Sequence, residues 1–402
     1  MALETAAYRH LRVAKQSGTT DTPGTLLSVE NAGEAIYPTC KQVKIPVETQ
    51  RTDGESAMAV LGEKAGGFPF TSFLRGGGTA AGAAQQCLNA GELDPFLDCL
   101  FSGTPIHSTG KATTTGNSTT VLKFASGADT AFPVGSALCI DSDGTSGLRY
   151  EMREVVTATA TDITLDRPLQ GAPADAAVAF GCSSFCVNPT DHEHEHLFAS
   201  LEGDSWRRDA FGCGLVLKIA IADKGLALGS WDVMANDWSD VAEANPTYAA
   251  QYDTGAIQLC WPGSIFWYGD AKTELISGNL EIGLVPVPRV ATEGVNGQNG
   301  WIYTYAGAKF SGKMYAVAGS EALVTGLQGL NSYDLAMQIG NPLATTTNGN
   351  AIYWRIPAFE DNGEAHYEQM SGVETVVFSG RALRPAAGTG SLRFHVAGYN
   401  AA

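Results

Sequence analysis

The chain has 402 residues, a formal net charge of -17, 44% hydrophobic residues and 17% charged residues. That length holds two or three domains at roughly 150 residues each, and the apolar share supports folded cores rather than disorder. The acidic balance excludes wrapping of nucleic acid, which needs clustered Lys and Arg to displace counterions from phosphates; it fits a solvated acidic surface, or a wall past which a strand slides without sticking.

The opening segment, Met1 to Thr20, is polar and lacks an apolar run followed by a small-residue cleavage site. No stretch reaches the roughly 18 apolar residues of a membrane span, so synthesis in the cytosol and no membrane anchoring are expected. Strand patterns dominate the remainder of the chain. Lys41–Thr49 mixes β-branched and polar residues at period two, and Gly214–Ala222 is a longer apolar run suited to a buried strand. Thr273–Val287, Ala351–Pro357 and Glu374–Gly380 alternate again, with Gly, Asn, Asp and Ser clustered between them as turns require. Helical signals are few. Thr79–Cys99 carries Ala80, Ala81, Ala83, Ala84, Leu88, Leu93, Phe96 and Leu97, and Pro95 splits it into two short helices because proline is tolerated only in a first turn. A second helical candidate spans Ser320–Ile339, interrupted by Gly326 and Gly329.

From about Thr109 to Phe180 the texture shifts to Thr, Ser, Ala and Gly with short alternating runs at Thr119–Phe124, Ala137–Ile140, Glu151–Val156 and Thr161–Leu165. That spacing predicts a small inserted β domain, with hinges near Pro105 and Pro189. The predicted organisation is residues 1–108, an insert at 109–183 and residues 184–402. A loose two-part pattern of strands, helix and strands points to an internal duplication.

The candidate catalytic motifs fail on context. His192-Glu-His-Glu-His196 matches H-E-x-x-H, which on a helix would put His192 and His196 on one face for zinc with a glutamate as base. Strict alternation instead favours a strand with His192, His194 and His196 on one face and Asp191, Glu193 and Glu195 on the other. Position 199 is Ala where one class of zinc proteases has glycine. Gly203-Asp-Ser-Trp206 needs a partnered histidine to act as a nucleophile; His366 lies five residues after Asp361 and His395 has no neighbouring acid in sequence. Gly76-Gly-Gly78 lacks the Gly-Lys-Ser/Thr ending of a phosphate loop. Cys182 and Cys186 form the one close cysteine pair, a weak zinc signal, and the eight cysteines are expected as buried small hydrophobes. No catalytic residue, cofactor or metal is assigned, and the expectation is a structural protein rather than an enzyme.

Several stretches together resemble the tail tube proteins of long-tailed, non-contractile siphophages. Leu11–Thr25 resembles the family's N-terminal arm, and Gly66–Gly77 followed by Asp94–Gly103 its strand with Leu-Arg-Gly and short Leu-rich helix. Asp209–Ile219 resembles its Gly-Cys strand, and Ile339–Asn341, Gly349–Pro357 and Met370–Ala382 its closing strands. The resemblance implies a mainly β fold of tail-tube-like sandwich or barrel halves with one or two short helices and an insert on the tube exterior. It implies copies of the chain in stacked rings, either three two-half chains or six chains per ring. Tape measure protein and genomic DNA would pass through the lumen without sequence-specific contact, with tail terminator and distal tail proteins at the tube ends, all within the virion. The alternatives are another virion β protein, such as a terminator, baseplate or decoration protein, or a zinc metallohydrolase using His192 and His196.

Overall fold

The computed structural model describes residues 10–16, 23, 26–29, 36–46, 59–74, 94–101, 105–142, 150–187, 196–203, 206–221, 225–242, 264–295, 298–316, 324–326, 332–340, 348–383 and 391–400. The fold is mainly β, built from large antiparallel sheets with no closed barrel. One sheet runs through eight strands in the spatial order Thr39–Pro46, Ala59–Phe73, Leu228–Ala235, Trp206–Ile221, Leu275–Glu281, Lys309–Tyr315, Val373–Ala382 and His366–Met370, every neighbouring pair antiparallel. A second group centres on Asn348–Asp361, flanked by Ser332–Ile339 on one side and by Arg393–Asn400 and the end of Val373–Ala382 on the other. A third comprises Leu27–Val29, His10–Gln16, His196–Glu202, the first half of Trp206–Ile221 and Asp237–Ala242.

The long strand Trp206–Ile221 joins two of these groups. Its residues 206–211 pair with Asp237–Ala242 and residues 214–221 with Leu228–Ala235 and Leu275–Glu281. Gly212 between them has φ 57, a left-handed conformation that glycine adopts without Cβ strain, so the strand re-aims there. The predicted strand at 214–222 is therefore the second half of a longer element. Thr273–Val287, predicted as one strand, is two: Leu275–Glu281 and Leu284–Val295 meet at a corner where Gly283 has φ 78.

The core explains the elements. In the eight-stranded sheet Phe68, Phe70, Trp231, Leu215, Leu217, Leu280, Phe310 and Phe378 face inward, the period-two consequence of β geometry. The helix Asp94–Phe101 covers part of this face, with Pro95 in its first turn as expected. Phe96 meets Trp231 at 4.9 Å and Phe70 at 5.4 Å between ring centroids, and Trp231 Nε1 donates to Ser72 Oγ at 2.9 Å. The remainder of the predicted 79–99 helix, 79–93, lies outside the described residues. The predicted helix over 320–339 is corrected: apart from a helical turn at 324–326, its described part is the strand Ser332–Ile339, buried between Ile265–Tyr268 and Asn348–Asp361.

Residues 105–187 contain the short strands predicted there, at Val121–Lys123, Ala137–Asp141, Tyr150–Ala158 and Asp162–Leu165. They enclose their own core of Leu122, Phe124, Phe132, Leu138, Ile140, Val155, Ile163 and Leu165. The strand Val178–Cys186 continues out of this unit. Its first residues pair with Ala137–Asp141 and its last with Arg393–Asn400.

Candidate functional site

Three features stand out. The first is a two-stranded ribbon, Leu284–Val295 with Gln298–Tyr305, which forms a sheet of its own. Gly283 makes its entry corner: a Cβ there would lie 2.2 Å from Gly307 O. The inner face rests on the long strand Trp206–Ile221, where a Cβ on Gly214 would meet Pro286 at 2.9 Å and Trp301 at 3.0 Å, so glycine lets the ribbon lie flat. Trp301 Nε1 donates to Gly212 O at 2.7 Å, and the Leu215 amide donates to Tyr303 Oη at 2.7 Å. Burial pushes the Tyr303 phenol up, so it stays neutral as an acceptor. The outer face carries Val285, Val287 and Ile302, exposed by 43%, 43% and 37%, with Val287 directly opposite Ile302, and Val290 is 83% exposed.

The second feature is the outward face of the eight-stranded sheet. Its side chains are small and polar: Thr71, Ser230, Asp232, Lys218, Ser277, Asn279, Ser311 and Ser379. Three of its cations meet carboxylates: Lys218 with Glu281 at 3.6 Å, Lys313 with Glu368 at 2.8 Å and Arg381 with Glu360 at 3.5 Å. A shallow hollow of about 380 Å³ sits on it, bordered by Ser277, Ser311, Lys313, Glu364, His366 and Ser379. The Glu364 carbonyl and the Glu368 carboxylate raise the His366 pKa, while Lys313 holds Glu368 low.

The third feature is the joint between residues 105–187 and the rest. Glu151, Glu154, Asp166 and Asp334 meet Arg153, Arg167, Arg355 and Arg393 there, four carboxylates against four guanidiniums. Arg355 bonds Glu154 at 3.0 Å and Asp334 at 2.5 Å and lies 3.7 Å from Asp166; Arg167 reaches Asp334 at 2.6 Å. Arg153 and Glu151 are fully buried and 2.7 Å apart. Arg153 and Arg167 both stand over Trp267, at 4.5 and 5.6 Å from the ring centroid. Tyr353 donates to Asp166 at 2.6 Å, and burial drives its phenol well above its ordinary range. Gln338 accepts from the Met152 amide and donates to the Tyr150 carbonyl. Burial first, and the neighbouring Asp166 carboxylate with it, raise Asp334 despite its arginines, while its carboxylate, Asp166 and Tyr353 help hold Arg355 charged. The joint packs the described part of residues 105–187 against the rest of the chain, and the strand Val178–Cys186, shared between sheets, runs through position 183. None of this was visible as a motif; the partners lie as far as 239 residues apart, Glu154 from Arg393.

The motif residues are dispersed. His196 opens the strand His196–Glu202 opposite Gln16, and His192 and His194 lie outside the described residues. Gly203 follows that strand and Trp206 begins the next, while Asp204 and Ser205 lie outside the described residues. Asp361 accepts the amides of Gly363, Glu364 and Ala365 and so shapes the turn before His366. His395 does meet a serine, with Nδ1 2.9 Å from Ser184 Oγ, but both are sealed in the core. Cys182 is buried and Cys186 exposed; the expectation of uniformly buried cysteines is corrected at Cys186 and at half-buried Cys40. On one strand, residues four apart stand about 13 Å from each other, too far to share one ion. Cys87, Cys260, Gly76–Gly78 and Pro189 lie outside the described residues. Among the described residues no cluster of His, Cys, Asp and Glu has the geometry to hold a metal, and no helix is long and apolar enough to cross a membrane. Comparison with family models and with curated proteins finds no match to this chain.

Proposed function

We propose that this chain is a structural subunit of a bacteriophage tail tube, polymerising as stacked rings into a hollow tube through which the genome leaves the virion. The observation that carries this reading is the ribbon, whose outer face is β-branched, apolar and uncovered. Burying a side chain such as Val287 or Ile302 against another copy gains about 1.5 kcal/mol or more each. Apolar surface set on a rigid ribbon marks an interaction site rather than scattered exposure. The open antiparallel sheet supports the same reading, because unpaired strand edges template association, and repeated head-to-tail contacts build rings or filaments. The polar sheet face, with Lys218, Lys313 and Arg381 matched by carboxylates, fits a surface along which DNA moves without gripping. In this role the partners are other copies of the chain, tape measure protein and DNA in the lumen, and terminator and distal tail proteins at the ends.

The test is sedimentation of the purified chain against the Val287→Lys/Ile302→Glu variant. The wild type is expected as large assemblies and the variant as a folded, smaller species with the same circular dichroism. Equal sedimentation of the two would remove the ribbon as the assembly surface.

A further inference from the structure

The hollow on the outward sheet face is made by side-chain length. Two cross-strand rows meet in it: Asn279, Ser311 and Ser379 on three adjacent strands, then Ser277, Lys313, Val377 and His366 on four. Short hydroxyl side chains form the floor, and Lys313, Glu364 and His366 rise as walls around a volume of about 380 Å³. Small-ligand sites span roughly 300–1,000 Å³.

Floor and wall are both fixed in the absence of a ligand. Phe310 and Phe378 pack beneath the floor, their ring centroids 5.8 Å apart. The turn that carries Glu364 is pinned to the floor strand: Asp361, which holds the Gly363, Glu364 and Ala365 amides, also accepts the Ser379 amide at 3.2 Å, and the Asn362 amide donates to the Ser379 carbonyl at 2.8 Å. A site held this way loses little ordering entropy on binding.

The charges in the hollow satisfy one another. Lys313 donates to Glu368 at 2.8 Å, and His366 Nε2 lies 3.3 Å from the same carboxylate. An anion would therefore stand beside Glu364 and Glu368 with both cations already engaged. Among the described residues no cluster of ligands suits a metal. Val377 is the apolar side chain of the lining that is not buried, too little for an apolar ligand. What remains is uncharged hydrogen bonding. Among the described residues the Ser277 and Ser311 hydroxyls bond no protein group, and each offers one donor and two lone pairs. Glu364 accepts the Ser379 hydroxyl at 3.2 Å and has further lone pairs to offer.

We infer that this hollow binds a neutral saccharide unit. The sugar hydroxyls donate to Glu364 and exchange hydrogen bonds with Ser277 and Ser311, while the C–H face of the ring lies on Val377. The site belongs to the folded chain and does not rest on the tail-tube reading.

The experiment is saturation-transfer-difference NMR of the purified full chain with glucose, galactose, mannose and N-acetylglucosamine, each at millimolar concentration, with circular dichroism to check every variant. Ser311→Tyr fills the hollow, Glu364→Ala removes its acceptor, and Thr71→Tyr adds the same ring toward the other end of the same face. Transfer to at least one sugar, retained in Thr71→Tyr, abolished in Ser311→Tyr and weakened about tenfold in Glu364→Ala, the loss of one hydrogen bond to a charged group, supports the site. Should Ser311→Tyr not fold, Glu364→Ala decides. Absence of transfer to all four sugars overturns the inference, as does transfer that survives both hollow variants or falls equally in Thr71→Tyr. Displacement of the sugar by inorganic phosphate also overturns it, because the hollow would then be an anion site. Sedimentation of the wild type tests the tail-tube reading separately, and neither result decides the other.

Discussion

His395 shows how far burial reaches at a single residue. It is fully buried, hydrogen-bonded to Ser184, stacked 5.9 Å from Tyr353 and near the positive Arg393 and Arg355. Burial first and those charges second push its pKa down to about 3 from an ordinary 6.5. The unfolded chain therefore takes up a proton that the folded chain refuses, and stability falls as pH drops from about 6.5 toward 3, by roughly 1.4 kcal/mol per unit at most. Asp334, raised by burial, binds its proton more tightly in the fold and acts in the opposite direction just above its ordinary value of 3.8. Urea denaturation at pH 7 and pH 4.5 is expected to show a smaller loss for His395→Gln than for wild type; equal losses would discount the buried imidazole. Arg355 and Arg381 contrast in the same way. Arg355→Ala leaves three carboxylates of the joint without their shared cation and is expected to cost about 3–5 kcal/mol. Arg381→Ala removes an exposed pair with Glu360 and is expected to cost about 1 kcal/mol or less. Thermal melts of the two variants measure the difference.

At the scale of elements, glycines decide where strands turn. Gly283→Ala combines a φ of 78 with a clash at 2.2 Å against Gly307 O, whereas Gly363→Ala combines a φ of 82 with open space. The first is expected to cost more than about 2 kcal/mol and to loosen the ribbon; the second costs about 1 kcal/mol. Denaturant titration separates them. The same elements show how much of the fold was legible in the sequence. Alternation found Lys309's partner strand Val373–Ala382 and the short strands Val121–Lys123 and Asp162–Leu165, along which buried and more exposed positions alternate, while Ala137–Asp141 and Tyr150–Ala158, largely buried on both faces, were found from short apolar and β-branched runs between turn signals. It misread Ser332–Ile339 as helix, because Leu335, Ala336, Met337, Gln338 and Ile339 are all buried and a strand covered on both faces has no period of two. The ribbon was hidden for a different reason: Val285 and Val287 flank the inward Pro286 and look like core positions until the fold leaves them outside. The ionic joint was illegible because charged residues distant in sequence read singly as solvated surface.

For the whole molecule, buried charge and a shared strand tie the described part of residues 105–187 to the rest of the chain. Among the described residues, the ribbon and the open sheet edges are the surfaces that the proposed assembly would use. In the proposed assembly, neighbouring copies would cover open sheet edges together with Val285, Val287 and Ile302. The direct measurement is negative-stain electron microscopy of the purified full chain over a range of concentrations. The tail-tube account predicts stacked rings and hollow tubes of uniform diameter that lengthen with concentration. A population that remains monomeric at the highest concentration, or that stops at isolated compact rings, contradicts it.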